Sequence, residues 1–153
     1  MIALAPDPID PAELLAAFIV DAAGAGAIAS FTGLVRDTHD GVRVEGLWLD
    51  HHQRITAQAL DEIGDVATDR FGLSALTIVH RVGAVAAGEP IVFVAAAAAH
   101  RRAAFDAVDY IMDRLKTDAP LWKRETRSDG EHWIEARPDD HHDRARWENV
   151  DGA

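Results

Sequence analysis

The 153-residue chain contains no cysteine. That excludes a disulfide framework, a thiolate metal site and a cysteine nucleophile. No apolar run approaches the roughly 18 residues of a membrane span. The apolar stretch Ile91–Ala99 is too short and reads as a buried strand. The N-terminus lacks a basic segment followed by an apolar one, so no signal peptide is read, and a cytoplasmic protein is expected. Also missing are the H-E-x-x-H, G-x-S-x-G and Walker patterns and a paired G-x-G-x-x-G. The neighbours His51 and His52 would face opposite ways on a strand, and His39 and the tail pair His141 and His142 complete no metal-ligand spacing. Neither a metal nor a cofactor is expected.

Positive charge is scarce as well. The net charge of −11 disfavours nucleic acid and anionic membranes as partners. It leaves room for a local cationic pocket that takes a small anion. The cations are uneven: 13 arginines but two lysines, Lys116 and Lys123. Arginine replaces lysine readily on a surface but cannot release a proton, as a catalytic amine must. Two readings stay open on composition: chance placement of two solvated lysines, or two sites where arginine does not serve.

The hydrophobic content of 48% and charged content of 27% suit one globular domain. Asp10-Pro11 opens a helix to about Val20, as an N-cap followed by a first-turn proline. Ala27–Val35 and Val42–Asp50 read as strands around the polar turn Arg36–Gly41. Ile55–Phe71 has helical spacing, with Ala59, Ile63 and Ala67 facing inward and Gly72 at its end. Ala75–Val82 and Pro90–Ala98 are strand-like, and His100–Leu115 is helical. Pro120–Arg127 and His132–Ala136 form a hairpin around Ser128-Asp129-Gly130. The order predicts an α+β fold with a largely antiparallel sheet. Residues 1–137 read as one domain, and 138–153 as a polar, partly disordered tail.

On the helix His100–Leu115, Phe105, Val108, Ile111, Met112 and Leu115 share a stripe predicted to face the core. Lys116 falls at its edge, and Arg101 projects from the same side. A half-buried cation needs a partner, either an internal carboxylate or an anionic ligand. His100-Arg101-Arg102 opens this helix, where free backbone N–H groups favour an anion; the alternative is a surface cluster paired with Asp106 or Asp109. Lys123 lies on the strand face of Leu121 and Glu125, opposite Trp122 and Arg124.

Several blocks carry a resemblance. They are Phe31–Asp37 (FTGLVRD), His80-Arg81-Val82-Gly83 with Gly88-Glu89, and Ala99-His100-Arg101 with Phe105. Asp113–Lys116, Pro120–Glu125 and Trp133–Ala136 complete the series. In this order, over about Ala27 to Arg137, they resemble the large catalytic subunit of molybdopterin synthase, the MoaE family. One departure is Leu49-Asp50-His51-His52-Gln53, where relatives often read L-E-H-Y-P, so a Tyr and a Pro are missing at a helix entry.

The resemblance implies an α/β hammerhead-type fold with an additional antiparallel β-sheet. It implies a homodimer with a small ubiquitin-like sulfur-carrier subunit at each end of a heterotetramer. It implies sulfur transfer from the carrier's C-terminal Gly-Gly thiocarboxylate to cyclic pyranopterin monophosphate (precursor Z), forming the molybdopterin dithiolene. By position, Lys116 and Lys123 are the implied catalytic lysines, Arg36, His100, Arg101 and Arg137 contact the anion and pterin, and Phe31 and Met112 line the pocket. Fifteen residues separate Arg101 from Lys116, about 22 Å along one helix. If both serve one site, Arg101 comes from the other subunit. The rival expectation is a non-catalytic dimer that binds a phosphorylated metabolite. A scaffold for the ubiquitin-like partner is a third.

Overall fold

The computed structural model describes residues 1–148. The chain runs through β1 (Ile2–Ala5), α1 (Pro11–Asp21), β2 (Ala27–Leu34), β3 (Thr38–His39), β4 (Val42–His51) and α2 (Gln53–Phe71). It continues with β5 (Ala75–Arg81), β6 (Gly83–Ala86), β7 (Pro90–Ala98), α3 (Arg101–Thr117), β8 (Leu121–Arg127), β9 (Gly130–Ile134) and α4 (Pro138–Ala145). One sheet has the order β1-β5-β7-β2, with β1 parallel to β5 and the other pairs antiparallel. The additional sheet is antiparallel, in the order β3-β4-β8-β9, and β6 also pairs with β4. The α+β class and the largely antiparallel pairing are as expected.

The first sheet is covered on both faces, which explains why β7 shows no alternation. Ala95–Ala98 are at most 1% exposed. Val92, Val94, Ala96 and Ala98 join the cluster built with α2 and α3, while Phe93, Ala95 and Ala97 pack with Phe18 and Ala22 at α1. Alanines keep both layers thin, so helices on either side approach the sheet closely.

The helix termini follow local chemistry. The Asp10 carboxylate accepts the N–H groups of Ala12 at 2.8 Å and Glu13 at 3.2 Å, and Pro11 fills the first turn. Gly72 closes α2 at φ 61°, a left-handed position that favours glycine. At the entry to α2, where the family's Tyr-Pro is missing, His52 is the N-cap and its Nδ1 accepts the Ile55 N–H at 3.4 Å. A different residue therefore caps the same helix.

One expectation is corrected, and the structure adds two features that the sequence did not predict. The buried stripe of α3 is Ala104, Ala107, Val108, Ile111 and Leu115, with Tyr110 also buried, and Phe105 is 59% exposed. Two alanines let the helix sit close on the alanine-rich sheet, and this rotates the bulky Phe105 out to the edge. β1 and β6, four residues each, were not expected; β1 pairs in parallel with β5 and β6 pairs with β4. The polar tail is helical from Pro138 to Ala145, and residues 149–153 lie outside the described residues.

Candidate active site

The two lysines come together where α3 hands over to β8. Lys116 is the penultimate residue of α3, and Lys123 is the third of β8. The turn between them is pinned to α2: the fully buried Thr56 hydroxyl donates to the Pro120 carbonyl at 2.9 Å. Lys123 is half-buried, opposite Leu49 on β4 and Ile134 on β9. Its amine is held below the ordinary lysine value, chiefly by burial and then by the charge of Lys116, with Asp140 working against both. Lys116 is 42% exposed at its side chain, and its Nζ lies 3.2 Å from Asp140 Oδ1.

Asp140 belongs to α4. Its carboxylate accepts the Arg137 backbone N–H at 2.8 Å, and the Arg137 guanidinium lies 3.7 Å away. Burial works to raise the Asp140 carboxyl. The Arg137 N–H, the Lys116 hydrogen bond and the two neighbouring charges outweigh it and hold the group below the usual carboxylate range. One carboxylate thus gathers Lys116 and Arg137 beside Lys123.

The helix that delivers Asp140 is fastened to α3. Arg144 Nε donates to Asp118 Oδ1 at 2.7 Å, and Arg146 reaches Asp109 and Asp113 at 2.8 Å each. Trp147 Nε1 donates to Asp113 Oδ2 at 2.7 Å. Its ring stands edge-on to Tyr110 and Phe71, with centroids 5.5 and 5.9 Å apart.

His80, on β5, is 5% exposed and near enough to Lys123 to feel its charge. Its pKa is lowered to about 4, mainly by burial; the hydrogen bond from Nδ1 to the Arg81 carbonyl at 2.7 Å opposes the shift, and the charge of Lys123 adds to it. The imidazole is neutral near pH 7. Further along the Lys123 face of β8, Glu125 bonds to His39 at 2.9 Å and to Arg127 at 2.7 Å.

The remaining expected residues are placed as follows. Met112 is half-buried against the main core. Phe31 is 42% exposed on β2, its ring over Gly33, where an added Cβ would lie 3.3 Å from Phe31 Cε1. Arg36 is exposed just past β2 and has no ion pair among the described residues. His100 is the N-cap of α3 but its side chain caps nothing, and Arg101 is exposed without an ion pair among the described residues. Arg102 takes the Asp106 contact at 4.0 Å, and Arg146 takes Asp109. Within one chain His100 and Arg101 therefore stand at the opposite end of α3 from Lys116.

Sequence reasoning passed over Asp140, Thr56 and Trp147, and noted His80 only within the His80–Gly83 block. Asp140 had a readable signal: Arg137-Pro138-Asp139-Asp140 places proline and two acids in a first helical turn. Nothing local in the sequence marks Thr56.

Comparison with known proteins places the chain in a family. Residues 4–118 match the family model described as MoaE protein. The molybdopterin synthase catalytic subunit of Pseudomonas aeruginosa is 46% identical over 139 residues, covering 91% of this chain and 93% of its own. That of Escherichia coli is 46% identical over 122 residues, covering 80% and 81%. The solved molybdopterin biosynthesis MoaE protein from Burkholderia ambifaria superposes with a TM-score of 0.81 at 39% identity, covering 96% and 97%. The chain belongs to the MoaE family of molybdopterin synthase catalytic subunits.

Proposed function

We propose that this subunit transfers sulfur from the C-terminal thiocarboxylate of a small ubiquitin-like carrier to precursor Z, twice, giving the molybdopterin dithiolene. The observation that carries the reading is the pair of amines, Lys116 and Lys123, beside Arg137 in a chain of net charge −11. The cyclic phosphate of precursor Z and the carrier's terminus are both anions, and here three cations neighbour a single carboxylate. In each transfer the thiocarboxylate sulfur bonds to a pterin side-chain carbon as the oxygen on that carbon leaves, and water then cleaves the carrier's acyl C–S bond, which leaves the sulfur on the pterin and a carboxylate on the carrier. An amine within reach gives or takes the proton that the exchange requires. Lys123, depressed by burial, suits that proton. Lys116 and Arg137, more open to solvent, suit the anion's charge.

A relative named a catalytic subunit belongs to an enzyme of more than one kind of chain, which supports the carrier as partner. The separation of Arg101 from Lys116 supports a homodimer in which His100 and Arg101 of one subunit complete the site of the other. Arg36, Phe31 and Met112 are assigned to the pterin and carrier contacts on the resemblance alone.

The test is reconstitution with thiocarboxylated carrier and precursor Z, reading molybdopterin as its fluorescent oxidised product. Lys116→Ala and Lys123→Ala should each lower the rate by about a hundredfold or more. Product at the wild-type rate from both variants would overturn the reading. Lys123→Arg should still bind but not transfer, because arginine keeps the charge and cannot release the proton, which separates this reading from a non-catalytic binder of a phosphorylated metabolite.

A further inference from the structure

We propose that Asp140 is a positioning residue that tethers Lys116 against Lys123, so that the two amines act as a coupled pair. The inference rests on the sulfur-transfer reading for its catalytic meaning, though the tether itself is a matter of geometry. Three observations carry it. Lys116 is a long, 42% exposed side chain whose only ion pair among the described residues is Asp140, at 3.2 Å. The Asp140 side chain is only 11% exposed and is fixed at its other oxygen by the Arg137 N–H at 2.8 Å. The helix that presents Asp140 is bound to α3, which also carries Lys116, through Asp109, Asp113, Asp118 and the Trp147 ring. A rigid carboxylate thus holds a flexible amine near a half-buried one of the same sign.

Without such an anchor the two amines would separate. Like charges in a half-buried setting repel, and Lys116 is free to turn toward water. The groups that face Lys123 are few. Lys116 comes from α3, Asp140 from α4 and His80 from β5; Glu125 lies two residues on along its own strand. His80 is neutral near pH 7, and Glu125 is already engaged by His39 and Arg127. The balance around Lys123 is thus set by Lys116 and Asp140, which act in opposite directions.

This gives the proposal a sign. If Asp140 merely adds a negative charge, removing it leaves Lys116 in place and Lys123 titrates lower. If Asp140 is the tether, removing it releases Lys116, and the larger of the two influences is lost. Lys123 then titrates higher, toward an ordinary lysine.

The chain's two lysines make this measurable. The full-length protein, grown with isotope-enriched lysine, is titrated by NMR as wild type, Asp140→Asn, Asp140→Glu and Lys116→Met, the last assigning the signals. Asparagine keeps an oxygen for the Arg137 N–H, so α4 retains its cap, and a thermal melt checks this. Asp140→Asn is expected to move Lys123 upward, in the direction of Lys116→Met, with Asp140→Glu close to wild type. In the reconstituted assay Asp140→Asn is expected to lose about tenfold in kcat. The limb of its pH–rate profile that follows Lys123 should move with the NMR titration, and Asp140→Glu should restore most of the rate. A downward or unchanged Lys123 titration in Asp140→Asn overturns the tether, and so does a faster rate, which would make Asp140 an obstruction. Wild-type transfer by both lysine-to-alanine variants would instead overturn the sulfur-transfer reading, while the NMR titrations would still judge the tether.

Discussion

Acid should destabilise this fold through a single imidazole. His80 is buried near Lys123, and its pKa lies at about 4 against an ordinary 6.5. The unfolded chain takes up a proton near the ordinary value, and the folded chain only near the lowered one. Between the two, the unfolded state binds more protons, so stability falls as pH falls. The whole interval corresponds to about 3 kcal/mol, and about 2 kcal/mol is lost by pH 5. Glu125, Asp118 and Asp140 are also held below the usual carboxylate range, but their contributions are lost at lower pH. The perturbation is His80→Asn, whose side-chain N–H can replace the Nδ1 donor to the Arg81 carbonyl. Urea unfolding is followed for both proteins from about pH 7.5 to about pH 5. The variant is expected to start less stable, because a ring is lost from the core, but to lose about 2 kcal/mol less than wild type over that range. The carboxylates are common to both proteins and cancel in the difference. Parallel losses would show that the folded state accommodates a charged His80 and would refute the argument.

The remaining predictions concern assembly and backbone fit. Arg101→Ala and Lys116→Ala homodimers should each be inactive. Mixed and allowed to exchange, they should recover about a quarter of wild-type transfer, since half the dimers are hybrid and each hybrid has one intact site. No recovery, with exchange shown by mass, would overturn the shared site. Gly26→Ala would set a Cβ 2.1 Å from the Ala99 carbonyl oxygen, just before the His100 N-cap. It should cost about 1–3 kcal/mol in denaturant unfolding and disturb the start of α3; unchanged unfolding would mean that this backbone can yield.

Much of the fold is legible because its signals are local. Asp10-Pro11, Gly72 and the Ser128-Asp129-Gly130 turn fix element ends through caps and turn chemistry, and the structure keeps each within about two residues of the expected boundary. β1 and β6 escape for the converse reason. Each is four residues long, and each is a strand because a partner strand pairs with it, β5 for one and β4 for the other. The exposed Phe105 shows a further limit. A periodicity weighted by bulk ignores alanine, yet Ala104 and Ala107 decide which side of α3 meets the sheet.

Scarcity marks the lysines in the sequence, whereas Asp140, which holds Lys116, lies in a segment that reads as polar tail. Polarity alone could not separate a solvated tail from a charged strap. What distinguishes α4 is complementarity with α3: Arg144 and Arg146 meet Asp118, Asp109 and Asp113, and Asp140 meets Lys116. Asp109 and Asp113 of α3, its C-cap Asp118 and Lys116 each meet the opposite sign from α4 or the residue just after it. This bears on how an acidic protein can hold an anion. Carboxylates that would repel the ligand from α3 are covered by the arginines of α4, and one carboxylate of α4 is spent on Lys116. The arginines left without ion pairs among the described residues include Arg36 and Arg101, both expected at the anion site. In the dimer proposed here these cations, brought together from two chains, would complete the charge that Lys116, Lys123 and Arg137 begin.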